Sequence, residues 1–497
     1  MKPDWRGGYH TALAYPAFFH RELTPAWLAA TASALGYRAP DLSAPYTWCE
    51  LGCGPGLGTL ITAAANPAGQ FHAVDFDPAA IGHARALADE AAIANAHFLH
   101  AGFAELAEAD DTALPPLDFI VLHGVLSWIS PANRQAVLRI IERRLKPGGI
   151  ACLAYMSQPG GAPMMALQRL LRRCADISAD TAAGLERGGM LLRALRDGGA
   201  GQFAVVRGLG LQIDHMAAQP PGYLAHEFLG AHWEPLHVAD VLAALADIGC
   251  GFLGSATPQE NIDAVSIPAQ SLPVIAAIED PALRETAKDI ARNQSLRRDI
   301  YQRAPRPLAA AEHRAALEAL SFVALPGAPK KGGLRFETRV GPVDGPAAMF
   351  SPLLAALADG KPRTFRELMT LPDYAGRGGL LNQASQMLLW AGHLHPVLPA
   401  ADAAPARALN RALWRRTAAG REHDYGWIAA SAIGSGLPAS RGAMLAAHAL
   451  QQNPALQGKA LFDAVAAASS GGEETDAAAL TAFERETLPA WRRLGVL

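Results

Sequence analysis

The chain of 497 residues carries little charge: 43 Lys and Arg stand against 46 Asp and Glu, a formal net charge of −3, and charged residues make up only 18% of the sequence. Without a basic excess there is no global field to gather nucleic acid or anionic lipid, so a nucleic-acid partner is not expected. Cysteine is scarce, with five residues at positions 49, 53, 152, 174 and 250. An odd number in so long a chain argues against a disulfide framework. Cys49 and Cys53 lack the second pair that a zinc site needs, so no metal is expected and both read as small packing residues. No charge-free apolar run is long enough to span a bilayer, and the opening Met1-Lys2-Pro3-Asp4-Trp5-Arg6 lacks the apolar core of a signal peptide. A cytoplasmic protein without membrane insertion is the expectation.

What is present is an alanine-rich globular composition, half of it hydrophobic, in a chain too long for one core. Short apolar runs at 46–51, 70–75, 117–123 and 149–157, the last after the turn Lys146-Pro147-Gly148-Gly149, alternate with helices. Cap-plus-proline pairs at Thr24-Pro25, Asp77-Pro78 and Ser130-Pro131 mark three helix starts. This alternation predicts an α/β fold with a doubly wound, largely parallel sheet. Residues 159–235 read as a helical insertion broken by glycines. The core then resumes with an amphipathic helix over 238–248 and strands over 251–255 and 296–301.

Pro305 and Pro307 open a new section. Short helices over 351–357, 364–371 (with the capping box Thr364-Phe365-Arg366-Glu367) and 380–390, followed by the extended Gly392-His393-Leu394-His395-Pro396, suggest a winged helix. The helix over 380–390 has no Lys or Arg, so it is expected to pack on protein rather than touch DNA. The last hundred residues read as alanine-rich helices with a loop at Ser469-Ser470-Gly471-Gly472. The expected divisions are 1–158 and 236–304 for the core and its closing strands, 159–235 for the insertion, 305–400 for the winged-helix-like part and 401–497 for the α-rich end.

The chemistry concentrates in Glu50-Leu51-Gly52-Cys53-Gly54-Pro55-Gly56, after the first strand, and in Asp75, which ends the second. Glycines let backbone approach a ligand closely, and a carboxylate at a strand end can accept hydrogen bonds from two ribose hydroxyls. The glycine spacing departs from the G-x-G-x-x-G of dinucleotide folds and resembles motif I of class I methyltransferases. Leu122-His123-Gly124-Val125-Leu126-Ser127-Trp128-Ile129-Ser130-Pro131, Arg144-Leu145-Lys146-Pro147-Gly148-Gly149, His226-Glu227-Phe228-Leu229 and Trp233-Glu234-Pro235 extend the likeness. Together they resemble a bacterial family of class I methyltransferases that carry a methyltransferase regulatory domain. The rickettsial protein-lysine methyltransferases of outer-membrane proteins belong to that group. The likeness covers most of residues 9–305 and, more loosely, the winged-helix-like part.

The resemblance implies a Rossmann-like core with a seven-stranded sheet, an enzyme, and S-adenosylmethionine as cofactor. Carried over by position, Glu50 lies near the amino group of the methionine moiety, and Leu51, Gly52, Cys53, Gly54, Gly56 and Asp75 hold the cofactor. Phe76 lies against adenine or ribose, Gly102 and Phe103 meet the adenine end, and His123 closes the set. The insertion would act as a cap or dimerisation element, which implies a homodimer.

The acceptor should arrive over the end of the 117–123 strand, where His123, Gly124 and Trp128 lie, with an aromatic wall that favours a cationic sulfonium. His123 has two readings, a general base or a hydrogen-bonded structural residue. Tyr15 also has two, a lid over the methionine end or an aromatic staple for the first helix, and Tyr155 shares that ambiguity. Tyr15, His123 and Trp128 are the catalytic candidates. His226, Glu227 and His232 do not match the H-E-x-x-H zinc spacing, which favours a structural or substrate-cap role. Protein lysine is the acceptor the resemblance implies. A small-molecule acceptor and a non-catalytic regulator that binds the cofactor are the alternatives.

Overall fold

In a computed structural model the described residues are 15–110, 112–398, 402–420, 425–469 and 476–497. Helix α1 (Pro25–Ala34) precedes the alternating units β1 (Tyr46–Leu51), α2 (Leu57–Ala65), β2 (Gly69–Asp75), α3 (Pro78–Glu90), β3 (Ala96–His100), α4 (Phe103–Glu108), β4 (Leu117–His123), α5 (Pro131–Arg144) and β5 (Leu145–Met156). Five helices follow: α6 (Met164–Asp176), α7 (Thr181–Asp197), α8 (Gly201–Val205), α9 (Leu209–Ala217) and α10 (Pro221–Phe228). Helix α11 (Val238–Asp247), β6 (Cys250–Ser255), α12 (Pro281–Arg292) and β7 (Leu296–Arg303) complete a seven-stranded sheet of order β3-β2-β1-β4-β5-β7-β6. β7 runs antiparallel to both neighbours, and the other pairings are parallel.

The central strands are apolar in nearly every position because both faces are covered. Their side chains alternate between two cores. Trp48, Phe119, Val121, Ile150 and Cys152 face α1, α2 and α3 through Leu28, Leu60, Ile61 and Leu87. Cys49, Leu51, Ile120, Leu122, Ala151 and Leu153 face the other way, toward Leu106, Val137, Ile141 and Leu245 of α4, α5 and α11. Strand order reverses between β1 and β4, which opens a crevice at their carboxyl ends.

Beyond the sheet, α13 (Ala310–Ala319), β8 (Ser321–Ala324), the hairpin β9–β10 (Leu334–Thr338, Gly341–Gly345), α14 (Ala347–Leu357), β11 (Arg363–Thr364), α15 (Phe365–Leu368), α16 (Gly378–Trp390) and β12 (Leu394–Pro396) share a core. Trp27 of α1 is part of that core. The order β11-β8-β12 makes a small antiparallel sheet. Asn382 of α16 donates to the Ala34 carbonyl at 3.0 Å, and Arg21 donates to the Trp390 carbonyl at 2.8 Å. The face of α16 is thus spent on α1. At the C-terminal end α17 (Ala404–Ala418) and the hairpin β13–β14 (Trp427–Ala430, Ser435–Pro438) lie on α2 and join its hydrophobic core. Buried Asn410 fastens this unit, donating to the Ala429 and Val496 carbonyls and accepting from the Ala429 amide. No helix of the described residues is long and apolar enough to cross a membrane.

Several local readings of the sequence change. β3, an edge strand, has no counterpart among the expected strands, because His97 and His100 interrupt its apolar character. Lys146–Gly149 is not a turn ahead of the strand but a bulge inside β5: Leu145 pairs with Leu117, and pairing resumes at Ile150 with Phe119. Gly148 there adopts φ +85°. Thr24 sits at the N-cap of α1, but its hydroxyl donates to the Arg21 carbonyl at 2.8 Å instead of capping, since a 3-10 turn precedes it. Helix α14 starts at Ala347 rather than at 351, with Pro352 inside it. The α-rich end contains the hairpin β13–β14, whose short strands alanine masks. The N-terminal hexapeptide and most of the loop expected at Ser469-Ser470-Gly471-Gly472 lie outside the described residues.

Gly56 shows how tightly the glycine turn is built. It has φ +77°, and a Cβ there would lie 2.5 Å from the Ala84 methyl of α3 and 2.8 Å from Phe98 of β3. Gly56→Ala is expected to cost about 2–4 kcal/mol of stability, read as a lowered unfolding midpoint by calorimetry.

Candidate functional site

The carboxyl ends of β1, β2 and β4 border a cavity of about 410 Å³, lined in part by Tyr15, Gly52, Gly54, Asp75, Phe76, Gly102, Phe103, His123, Gly124, Trp128 and His226. Its centre of organisation is Asp75. The Gly54 amide donates to one carboxylate oxygen at 2.8 Å and the Asp77 amide to the other at 2.9 Å. The Phe76 backbone also donates to the carboxylate, and three donors leave it room for a further one. Burial raises the carboxyl pKa from its ordinary value, and these backbone donors oppose that shift.

Around this anchor the glycines do different things. A Cβ on Gly52 would meet Val125 at 2.5 Å, so this glycine packs the loop after β4 onto the turn. One on Gly54 would come within 3.3 Å of the Tyr15 ring. A Cβ on Gly102 or Gly124 would meet no atom within 4 Å, and both residues line the cavity, so side chains there would fill it. Leu51 and Cys53 are buried in hydrophobic packing, and Gly56 packs on α3; none of the three reaches the cavity wall. Glu50 also stays off the wall. Its buried carboxylate accepts from the Thr59 hydroxyl at 2.5 Å, and burial, with the negative charge of Asp75, pushes its pKa up to about 7.

At the other end Tyr15 stands edge-on to His226, ring centres 5.1 Å apart, and edge-on to Phe18 at 6.0 Å. It therefore bridges the glycine turn and α10. Trp128 donates its indole N–H to the Glu227 carbonyl at 3.0 Å and packs with Met156, Phe228 and Trp233, which fixes α10 over the end of β4. His123 stacks on His20 at 3.5 Å between ring centres, and its Nε2 has no hydrogen-bond partner among the described residues. Burial, with the charges of His20 and Arg298, holds the His123 pKa well below the usual histidine value. Such a ring is neutral and a weak base, so of its two readings the geometry favours an uncharged wall residue. Tyr155 is fully buried and donates to Asp299 at 2.7 Å, inside an ionic network with Arg297, away from the cavity.

Some lining residues, Asn133 and Ala80 among them, carried no sequence signal. His20, five residues after Tyr15, is stacked on His123 only by the fold. Among the described residues no three His, Cys, Asp or Glu side chains gather as a metal site.

The neutral histidines have a measurable consequence. Burial lowers the pKa of His20 to about 4 and holds that of His123 well below its ordinary value, against about 6.5 in an unfolded chain. Between those values the unfolded state binds protons that the folded state refuses, so stability falls as pH drops from about 6.5 toward 4. Replacing His20 by Gln should flatten that dependence in urea unfolding followed at several pH values.

Comparison with known proteins agrees with this geometry. A family model described as a methyltransferase domain matches residues 49–151, and one described as a predicted methyltransferase regulatory domain matches residues 220–303. An uncharacterized protein of Synechocystis sp. is 32% identical over 398 residues, 79% of this chain and 77% of that relative. The fold is similar to that of PKMT2 from Rickettsia typhi, with 17% identity, TM-score 0.70, and coverage of 97% of this chain and 99% of that one. The same protein in complex with AdoHcy gives a TM-score of 0.68 at 17% identity and 93% coverage of both chains. The chain is a class I, S-adenosylmethionine-dependent methyltransferase and belongs to the family that carries a methyltransferase regulatory domain.

Proposed function

We propose that the chain transfers a methyl group from S-adenosylmethionine to a lysine side chain of a protein. The observation that carries this reading is the charge and shape of the cavity. Among its described lining residues are Asp75, Asp77 and Glu105 and several aromatic rings, but no Lys or Arg. Such a wall suits a cationic sulfonium at one end and an amine acceptor at the other. The likeness of the sequence to rickettsial protein-lysine methyltransferases supports the same acceptor.

S-adenosylmethionine, when bound, supplies an electrophilic methyl group on a positively charged sulfur. The residues present fit that group: the Asp75 carboxylate, aimed by backbone amides, lines the cavity as an acceptor for ribose hydroxyls, and the space beside Gly102 and Gly124 is unfilled by protein. Asp75 orients the ribose, Phe76 and Phe103 flank the nucleoside, and Tyr15, Trp128 and His226 wall off water at the acceptor end. Methyl transfer is an in-line displacement, so alignment and desolvation are the main work of these side chains. In this reading residues 1–158 and 236–304 form the catalytic core and residues 159–235 cap it. Residues 305–400 are a winged-helix-like module used for packing, which the docking of α16 on α1 supports, and residues 401–497 brace α2.

Gly102 has an ordinary extended backbone, φ −79° and ψ 155°, and open space at its Cβ position. Gly102→Val should therefore weaken S-adenosylmethionine binding about tenfold or more by calorimetry, with the melting temperature of the free protein unchanged. The acceptor is tested by incubating the full chain with methyl-labelled S-adenosylmethionine and fractionated cell extract. Label should appear in protein bands as methyl-lysine; label confined to small molecules contradicts the reading.

A further inference from the structure

The C-terminal unit carries a second cavity, of about 250 Å³, that shares no residue with the first. Residues of α17, of α18 (Arg441–Gln452), of the last helix α19 (Leu488–Arg493) and of the chain after it line this space. Its buried wall is apolar: Trp414 of α17 is 2% exposed, and Leu488 and Val496 are buried with it. Its exposed wall holds three arginines, Arg407 and Arg411 of α17 and Arg492 of α19.

These three guanidinium groups have no counter-charge, whereas Arg415 and Arg416 on the same α17 pair with Glu90 at 3.2 and 2.7 Å. Among the described residues no Asp or Glu lines the cavity, and no hydrogen bond or ion pair engages the side chains of Arg407, Arg411 or Arg492. Leu497, which also lines it, pairs with none of them. Arg407 and Arg411 stand four residues apart on one helix face, a spacing at which like charges destabilise a helix. The buried wall has an unmet group of its own. The Trp414 indole N–H, a donor only, is buried without an acceptor among the described residues. Such a group costs stability in the free protein. Three cations and one donor thus border a single apolar space, and one kind of ligand answers all four.

We propose that this cavity is a second binding site of the protein, for an amphipathic anion: an aliphatic chain that ends in a carboxylate or a phosphate. The chain lies against Trp414, Leu450, Leu488 and Val496. The head takes the guanidinium groups, whose planar donor pairs match carboxylate and phosphate oxygens, and the Trp414 indole supplies a further donor. A nucleotide fits less well, because a base carries several donors and acceptors along its edge, and the wall offers them, besides arginine, only Gln451 and one indole N–H. A bare inorganic anion would leave the apolar wall uncovered. Since α17 lies on α2, which opens at the glycine turn, an occupant also stabilises the brace behind the sheet.

The test titrates octanoate and octyl phosphate into the full chain by calorimetry, with octanol and inorganic phosphate as the two halves of the ligand. Each amphipathic anion should fill one saturable site, with affinity that falls as salt is raised and a melting temperature that rises with ligand concentration. Neither half should bind within about tenfold of the whole, and the tighter of the two anions identifies the head group. The double variant Arg407→Gln, Arg411→Gln should weaken binding about tenfold or more and melt no lower than the parent, because both side chains are exposed. Trp414→Phe keeps a ring and removes the N–H, so it should weaken binding about threefold or more. Saturating S-adenosylhomocysteine should leave the affinity unchanged, since the two cavities are separate. Octanol that binds as tightly as octanoate, a double variant that binds like the parent, displacement by S-adenosylhomocysteine, or no saturable binding of either anion overturns the proposal.

Discussion

Two backbone hydrogen bonds to Asp75 hold one end of the cavity together. The Gly54 amide fixes one carboxylate oxygen and the Asp77 amide the other, so the turn after β1 and the start of α3 are tied to the end of β2. A buried carboxylate is costly without donors, and these amides offset part of that cost and aim it. The left-handed backbone at Gly52, Gly54 and Gly56 makes the first tie possible. Packing of Gly52 on Val125 and of Gly56 on Ala84 then seats the turn against β4 and α3. The cavity is the space this arrangement leaves at the point where strand order reverses.

The other end is built from parts distant in sequence. Tyr15 comes from the segment before α1, Trp128 from the loop after β4, and His226 and Glu227 from the last helix of the insertion. They meet because Trp128 binds the Glu227 carbonyl and because the insertion buries Met164, Leu167 and Leu171 against Trp128, Met156 and Trp233. The C-terminal segment plays a comparable part behind the sheet, where the Asn66 amide reaches the Gly434 carbonyl at 2.9 Å and Arg416 pairs with Glu90 at 2.7 Å. Helix α2, which opens at the glycine turn, is thus clamped between the sheet and residues from the far end of the chain.

Much of the core was legible in the sequence, for physical reasons that differ by element. β1 and β4 coincide with the expected runs because strands buried on both faces must be apolar throughout. Asp75 stood out because an acid at the end of such a run needs a reason. β3 escaped because an edge strand buries only part of itself, and the C-terminal hairpin because alanine does not separate strand from helix. At the site, Gly54, Asp75, Gly102, His123, Trp128 and Tyr15 do line one cavity. Glu50, Leu51, Cys53 and Gly56 belong to the same motif but lie off the cavity wall, a difference that spacing alone does not carry. The stacking of His20 on His123 and the edge-on contact of Tyr15 with His226 depend on tertiary contacts between segments 100 or more residues apart, which local pattern cannot encode.

Every role assigned to the cavity depends on where the nucleoside sits. A crystal structure of the full chain with S-adenosylhomocysteine tests this most directly. The ribose hydroxyls should lie within hydrogen-bond distance of the Asp75 carboxylate, the adenine beside Gly102 and Phe103, and the sulfur toward Tyr15, Trp128 and His226. Density for the ligand elsewhere on the molecule, or a ribose that makes no contact with Asp75, would contradict it.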